Sequence, residues 1–430
     1  MADGERIRDF AVVGGGIAGL AIAEMLQRSG ASVILLEKNR TLCSEASAEQ
    51  QGWFHTGALY TALPSNFFCR TMVGNLDDLM DYYSGFPGMN LRVDKHIYTT
   101  DRDGWFSNRT NFYVYTSTDG VSWKWKLPWA VALYRAKRRM SWFETLDTSR
   151  SLSHQMGFGA KPLKYVVHGS TLGVNLEHVA FALKSRDRAM NTQRIAEDLL
   201  RSFLACGGTV RTQAKVLSLD RGAVLAKLES GEMRIPARHT ILATGKDTTA
   251  FDGTTKVFIS PLLVVYPALT DLNFVRMSPH MDQTINHLCH RNDGLEYSLI
   301  GNAVYHDSRQ VGPEVLDRVR AGMVRMARRV FGDFDEKGAD LFFGYKTEVS
   351  SSSFIRNYLY HIIDRGHYTL ALPGKFSLCF SLAANVCRHF GIEPVKAIRL
   401  AEPQAVEGLI EEPLHSRLAK RLAEKSRNPS

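Results

Sequence analysis

Gly14, Gly16 and Gly19 stand in a Gly-x-Gly-x-x-Gly spacing, and the chemistry of that spacing is contact with a pyrophosphate. Gly14 permits a tight turn, Gly16 lets the phosphates approach the backbone, and Gly19 lets a helix pack closely on a strand. Glu37, eighteen residues past Gly19, can accept hydrogen bonds from a ribose. A second set of reactive residues begins at His55, an imidazole able to accept a proton near neutral pH and so to act as a general base. The alternative is a structural histidine that bonds backbone. Tyr60 is expected to line the same pocket. Arg276, Arg356 and Lys375 are candidates to hold an anionic group, with a surface salt bridge as the alternative for each.

The elements that must position these residues can be read locally. An apolar strand ending at Val13 runs into the glycines, and Leu20–Arg28 has a helical pattern. A second apolar strand, Ser32–Leu36, ends on Glu37, which completes a βαβ unit. The first turn of its helix, with Ile17 and Ala18, would present free amides to the phosphates, and Lys38 follows the ribose acid. The expected ligand is a dinucleotide.

Composition narrows the setting. At 430 residues the chain is long enough for two or more domains, and 44% hydrophobic with 23% charged residues is ordinary for a globular protein. The apolar run Phe10–Leu26 contains glycines and Glu24, so it reads as the nucleotide unit and not as a signal peptide. Six scattered cysteines without a Cys-x-x-Cys pair point to a reducing, cytoplasmic compartment and to no metal site. His287 and His290 are expected on a surface loop. Part of the net charge of +9 lies in a tail, residues 401–430, where Leu414, Leu418 and Leu422 predict an amphipathic helix. That helix would pack on the body or make a peripheral membrane contact.

Residues 46–57, Ala-Ser-Ala-Glu-Gln-Gln-Gly-Trp-Phe-His-Thr-Gly, resemble a segment of the D-amino-acid oxidase superfamily of FAD-dependent oxidoreductases. The form there is Ala-Ser-x-x-Asn-Ser-Gly-x-x-His-x-Gly, and the nearest subgroup is that of L-2-hydroxyglutarate and glycerol-3-phosphate dehydrogenases. Ala46, Ser47, Gly52, His55 and Gly57 match, whereas Gln50 and Gln51 replace the asparagine and serine. The resemblance implies that Ser47, Gln51 and Gly52 pass beside the flavin and that His55 is the base. Two later segments fit the same family. Thr240–Gly245, with Ala-Thr-Gly at its end, follows Gly-Gly-Thr-Val, which implies that Thr244 and Gly245 bind the cofactor, the glycine passing closely under the nucleotide, and that the Val216 backbone contacts the adenine. Tyr368–Ser377 leads into a helical pattern, and Gly374, Lys375, Phe376 and Ser377 would face the pyrimidine end of the flavin.

The implied fold is α/β. A Rossmann-like FAD-binding domain of the glutathione-reductase type (1–75, 160–247 and 341–400) carries an inserted, mostly antiparallel α+β substrate domain (76–159 and 248–340). FAD would be held non-covalently. The implied reaction moves a hydride from a carbon bearing a hydroxyl or an amine to flavin N5. A small anionic, 2-hydroxy-acid-like substrate is preferred over an amino acid, and the electron acceptor is oxygen, a quinone or a protein. Trp123-Lys-Trp-Lys-Leu-Pro128 resembles the Trp-x-Trp-x-Ile-Pro segment of flavin-dependent halogenases, but it precedes Ala243-Thr-Gly245 where theirs follows. Trp123, Trp125 and Trp129 instead fit one face of a strand. A tRNA-modifying flavoprotein would suit the charge, yet no basic and stacking-aromatic module is visible. A non-catalytic flavin-binding protein is the third alternative.

Overall fold

Arg8–Val13 and Val33–Leu36 form adjacent parallel strands, with Phe10 opposite Val33 and Val13 opposite Leu36. The computed structural model describes residues 7–65, 67–91, 104–109, 111–146, 174, 178–185, 187–280, 283–308, 312–350, 359–397 and 405–427. The helices are α1 (Ile17–Arg28), α2 (Phe67–Tyr83), α3 (Trp123–Leu146), α4 (Thr192–Ala205), α5 (Pro313–Phe331), α6 (Cys379–His389) and α7 (Leu414–Arg427). None of them is long and apolar enough to cross a membrane.

α1 is buried from Ile17 through Leu26, because α4 and α6 pack on it beside the sheet. Its buried acid, Glu24, accepts hydrogen bonds from Arg28 Nε and Ser202 Oγ, each at 2.6 Å. A carboxylate in that position would be costly without such partners. The sheet runs His361–Asp364, Thr369–Leu372, Gly231–Leu242, Arg8–Val13, Val33–Leu36, Thr209–Arg211. All neighbours are parallel except the antiparallel edge strand His361–Asp364. Where the strands run side by side, Phe10–Val13, Val33–Leu36 and Ile241–Leu242 are apolar and buried, as parallel strands covered on both faces must be.

A second sheet runs His306–Asp307, Thr255–Val265, Leu295–Asn302, Ile285–Asn292, Asn273–Met277, Asn111–Thr116, Val179–Ser185, and Ala339–Val349 also pairs with Thr255–Val265. It is antiparallel but for the pair Asn273–Met277 and Asn111–Thr116. Val179–Ser185 and Ala339–Val349 come from stretches that the sequence places wholly or mostly with the nucleotide-binding pieces. Alternation along Leu262–Val265 explains how both faces are covered. Leu263 and Val265 pack under Met323, Ala327 and Val330 of α5. Leu262 and Val264 pack under Leu418, Ala419 and Leu422 of α7. The C-terminal leucines are therefore core residues.

Two sequence expectations are corrected. His287 and His290 lie on a buried strand, not a surface loop. Three residues apart, they point to opposite faces: His287 stacks near Phe274 and Phe331, and His290 near Tyr297 and His415. The tryptophan segment is helical, not a strand. Trp129 and Ala136, seven residues apart, are its buried side, and Trp123 and Trp125 are exposed. The run of helix-forming Ala, Leu, Arg and Lys that continues from Ala130 outweighs the local two-residue alternation.

Candidate active site

The three glycines divide their work as steric limits dictate. Gly14 has φ +104°, and a Cβ there would fall 2.5 Å from the Ala243 carbonyl oxygen. A Cβ on Gly19 would fall 1.9 Å from the Gly14 carbonyl oxygen. At Gly16 the added atom meets only Ser47 Oγ, at 3.2 Å. Gly14 and Gly19 are thus demanded by the protein's own packing, whereas Gly16 keeps a space open. Gly16 also caps α1 without a side-chain hydrogen bond, and the first turn carries no acid. The Ile17 amide donates to Ser47 Oγ at 2.9 Å, and Ala18 is buried beside it. A helix N-terminus with no acid in its first turn, over an open glycine, is a ready anion cradle.

The Glu37 carboxylate accepts from the amides of Gly15 (2.7 Å) and Asn39 (2.8 Å). Burial raises its pKa, and those two amides oppose the rise. The Gln213 and Ala214 amides donate to the Asn39 and Glu37 carbonyls, which brings the strand carrying Val216 alongside. Thr244 Oγ1 lies 3.1 Å from Thr248 Oγ1, and Gly245 adopts φ +56° at the cavity wall. Lys38 does not join the cradle; it pairs with Glu45 at 2.7 Å and with Asp247.

The cradle opens into a cavity of about 190 Å³ between the two sheets. Ile17, Ser47, Gln51, Gly52, His55 and Gly245 line it, and Gly374, Lys375 and Phe376 close it from the other side. Buried polar atoms on its lining residues lack hydrogen-bond partners, among them Glu49 Oε2 and Gln50 Nε2. Orphaned donors and acceptors beside an open phosphate cradle fit a polar, elongated cofactor such as FAD.

His55 Nδ1 stands 3.4 Å from Asp187 Oδ2, within ion-pair reach but without a formed hydrogen bond. That leaves Nε2, on the far side of the ring, for the cavity. Burial and then Lys375 lower the His55 pKa to about 4, with Asp187 pulling the other way. Asp187 itself accepts from Trp53 Nε1 (3.0 Å), the Thr56 amide (2.8 Å), Thr56 Oγ1 (2.6 Å) and Tyr113 OH (2.5 Å). Burial disfavours its charge, but His55 and these donors outweigh it and hold the carboxyl below its ordinary range. A fixed negative charge behind an imidazole can stabilise the imidazolium that forms on proton uptake. Asp187 was not legible as a site residue; its only signal is one acid between Arg186 and Arg188.

Other residues sort by position. Tyr60 is buried behind the wall, its ring 6.3 Å from His55 and 5.7 Å from Lys375 Nζ. Ser377 lies in the short helical turn below Lys375, where its carbonyl accepts from Asn75. Arg276 is not in this cavity; it lines a separate one against α5 and donates to the Gln283 carbonyl at 3.0 Å. Arg356 lies outside the described residues. The sequence also missed the wall supplied by the second sheet: Asn286, Asn302, Tyr305, Tyr345 and Lys346. Lys346 Nζ donates to Tyr305 OH at 2.8 Å and lowers the His55 pKa from a distance.

Behind Gln51, His290 Nε2 donates to the Gln51 carbonyl at 3.0 Å, and its ring stacks 4.6 Å from that of His415. Burial is the leading cause that holds His55 and His290 near pKa 4, His287 near 3 and His415 well below its ordinary value. An unfolded histidine takes up a proton at about pH 6.5. The unfolded chain therefore binds more protons between pH 6.5 and 4, so stability is lost as pH falls through that window. The melting temperature should drop across it, and His290→Gln should flatten the slope. A melting temperature constant from pH 6.5 to 4 would contradict this.

Residues 9–345 match the model of a family described as FAD dependent oxidoreductase. No curated protein matches the sequence. Among solved structures the chain is similar to glycine oxidase from Geobacillus kaustophilus, at 15% identity and TM-score 0.62, over 94% of this chain and 98% of that one. It is similar to L-α-glycerophosphate oxidase from Mycoplasma pneumoniae, solved with FAD bound, at 13% identity and TM-score 0.61, over 91% and 97%. It is also similar to L-proline dehydrogenase from P. horikoshii, at 13% identity and TM-score 0.59, over 89% and 94%. At these identities the likeness carries the fold alone.

Proposed function

The chain belongs to the FAD dependent oxidoreductase family, and from that premise we propose that it oxidises a carbon bearing a hydroxyl or an amine on a small anionic substrate. When bound, FAD supplies the acceptor for the two electrons and the hydrogen leaving that carbon. The phosphates would lie over Gly16 and the first turn of α1, with the ribose at Glu37. His55 takes the heteroatom proton at Nε2, and Asp187 stabilises the imidazolium. Lys346 and Lys375 hold the carboxylate or phosphate, replacing Arg276 in that role.

The carrying observation is the half-buried His55, backed by the buried Asp187, on a wall that also bears these two lysines. His55 is neutral at pH 7, the form that accepts a proton. An anion beside Lys375 would cancel part of the charge that depresses the imidazole, so substrate binding strengthens the base. A 2-hydroxy acid is preferred, because among the described residues Glu49 is the one carboxylate on the cavity wall, and burial raises the Glu49 pKa. The test is anaerobic bleaching of the flavin by 2-hydroxy acids, phosphorylated alcohols, amino acids and uncharged alcohols. Anionic alcohols should bleach it, and Lys346→Met should raise the half-saturating concentration by roughly ten-fold for a lost charge-assisted bond. Bleaching by amines alone would shift the assignment to amine oxidation, and bleaching by uncharged alcohols alone would remove the lysines from it.

A further inference from the structure

α3 is the one place where the molecule exposes a row of large apolar side chains among the described residues. Trp123 is 82% exposed, Leu127 73%, Tyr134 63% and Val131 37%. At spacings of four, four and three residues these lie on a single stripe of the helix, opposite the buried Trp129 and Ala136. Lys124 and Arg135 flank one edge of the stripe, and Lys126 and Lys137 the other. No acidic residue occurs between Trp123 and Arg139. Arg139 ties the far end of this stretch to the body through the carbonyls of Thr61, Leu63 and Pro64. Phe67, 62% exposed, follows that turn directly.

We propose that this face docks on an anionic phospholipid bilayer, lying in the interface without crossing it. Aromatic rings at the ends of an aliphatic stripe suit the headgroup boundary, where an amphipathic ring keeps one end apolar and one end wet. Lysines along both edges reach up to phosphates while their stems cover apolar surface. Two other occupants fit less well. A nucleic acid would pair with the lysines but leave Leu127 and Val131 against phosphodiesters. An apolar protein groove would have to desolvate cations on both edges.

The test uses the full-length, flavin-loaded protein sedimented with vesicles of phosphatidylcholine alone or mixed with phosphatidylglycerol. The wild type should pellet with the mixed vesicles at low salt and be released as salt screens the contact. Its tryptophan emission should shift to the blue on binding. Trp123→Ser with Leu127→Ser should weaken binding by roughly ten-fold or more, with flavin content and melting unchanged because both side chains are solvent-exposed. Lys124→Glu with Lys126→Glu, which leaves the apolar stripe intact, should also weaken it by more than roughly ten-fold. Failure of the wild type to pellet, or equal pelleting by both variants, would overturn the proposal. So would shielding of Trp123 from a soluble quencher without vesicles, since this chain or a second copy would then cover the face. Binding of a mixed-sequence RNA that competes with the vesicles and depends on the lysines but not on Trp123 and Leu127 would overturn it too.

Discussion

Gly16→Val should yield a folded but colourless protein, while Gly19→Val should yield no folded protein at all. At Gly16 the first added atom meets only Ser47 Oγ at 3.2 Å, a flexible end that can move aside. The remaining methyl groups would occupy the space kept for phosphates, so the apo fold survives and the cofactor does not. At Gly19 the added atom would lie 1.9 Å from a backbone oxygen in the turn on which the sheet and α1 meet. Overpacking against movable side chains already costs about 1–3 kcal/mol. Against fixed backbone the cost is larger and consumes much of the ~5–15 kcal/mol that holds a domain together. The ratio of flavin to protein absorbance, with circular dichroism melting, separates the two outcomes. A yellow Gly16→Val protein would remove the phosphates from this cradle.

The geometry of the candidate phosphate cradle was readable from sequence for the same steric reason. Its determinants are local: three glycines, one helix and one acid, all within Gly14–Glu37, with the Gly15 amide bonded to Glu37 and Gly19 packed against the Gly14 carbonyl. The half proposed to be catalytic is assembled from distant chain. Asp187 reaches His55 only because the strand Arg188–Ala189 pairs with Trp53–Phe54, and no spacing rule announces such a pairing. Lys346 and Tyr345 arrive on a strand whose role depends on its register with Thr255–Val265. Arg276 failed as a cavity residue for the same reason, since its strand sends it toward α5. The buried histidines were misread because a polar residue in an apolar strand is cheap once its ring finds partners. His287 has them in the Leu272 carbonyl at 2.6 Å and Ser298 Oγ at 2.7 Å.

His55→Ala should retain FAD and lose roughly two to four decades in the rate of flavin reduction, the usual loss on removing a general base. The pH profile of the wild type distinguishes this role from a structural one. The base must be neutral to act, so the rate is present above its pKa and falls as pH drops through it. With burial and Lys375 depressing the imidazole to about 4, that fall belongs near pH 4 in the free enzyme and not at the ordinary histidine value. Two variants should move it in opposite directions. Lys375→Met removes a cause of depression and should move the transition up. Asp187→Asn removes the supporting charge and should move it down, while slowing the reaction because the imidazolium loses its counter-charge. A purely structural His55 would behave otherwise: its removal would loosen the flavin and spare the rate of molecules that keep it, and neither variant would shift a transition. Stopped-flow reduction normalised to bound flavin, run across pH for all four proteins, reads both quantities at once. A normalised His55→Ala rate near that of the wild type would hand the proton to another acceptor in the cavity, with Glu49 on its wall as the alternative: its Oε2 is unpartnered, and burial raises its pKa.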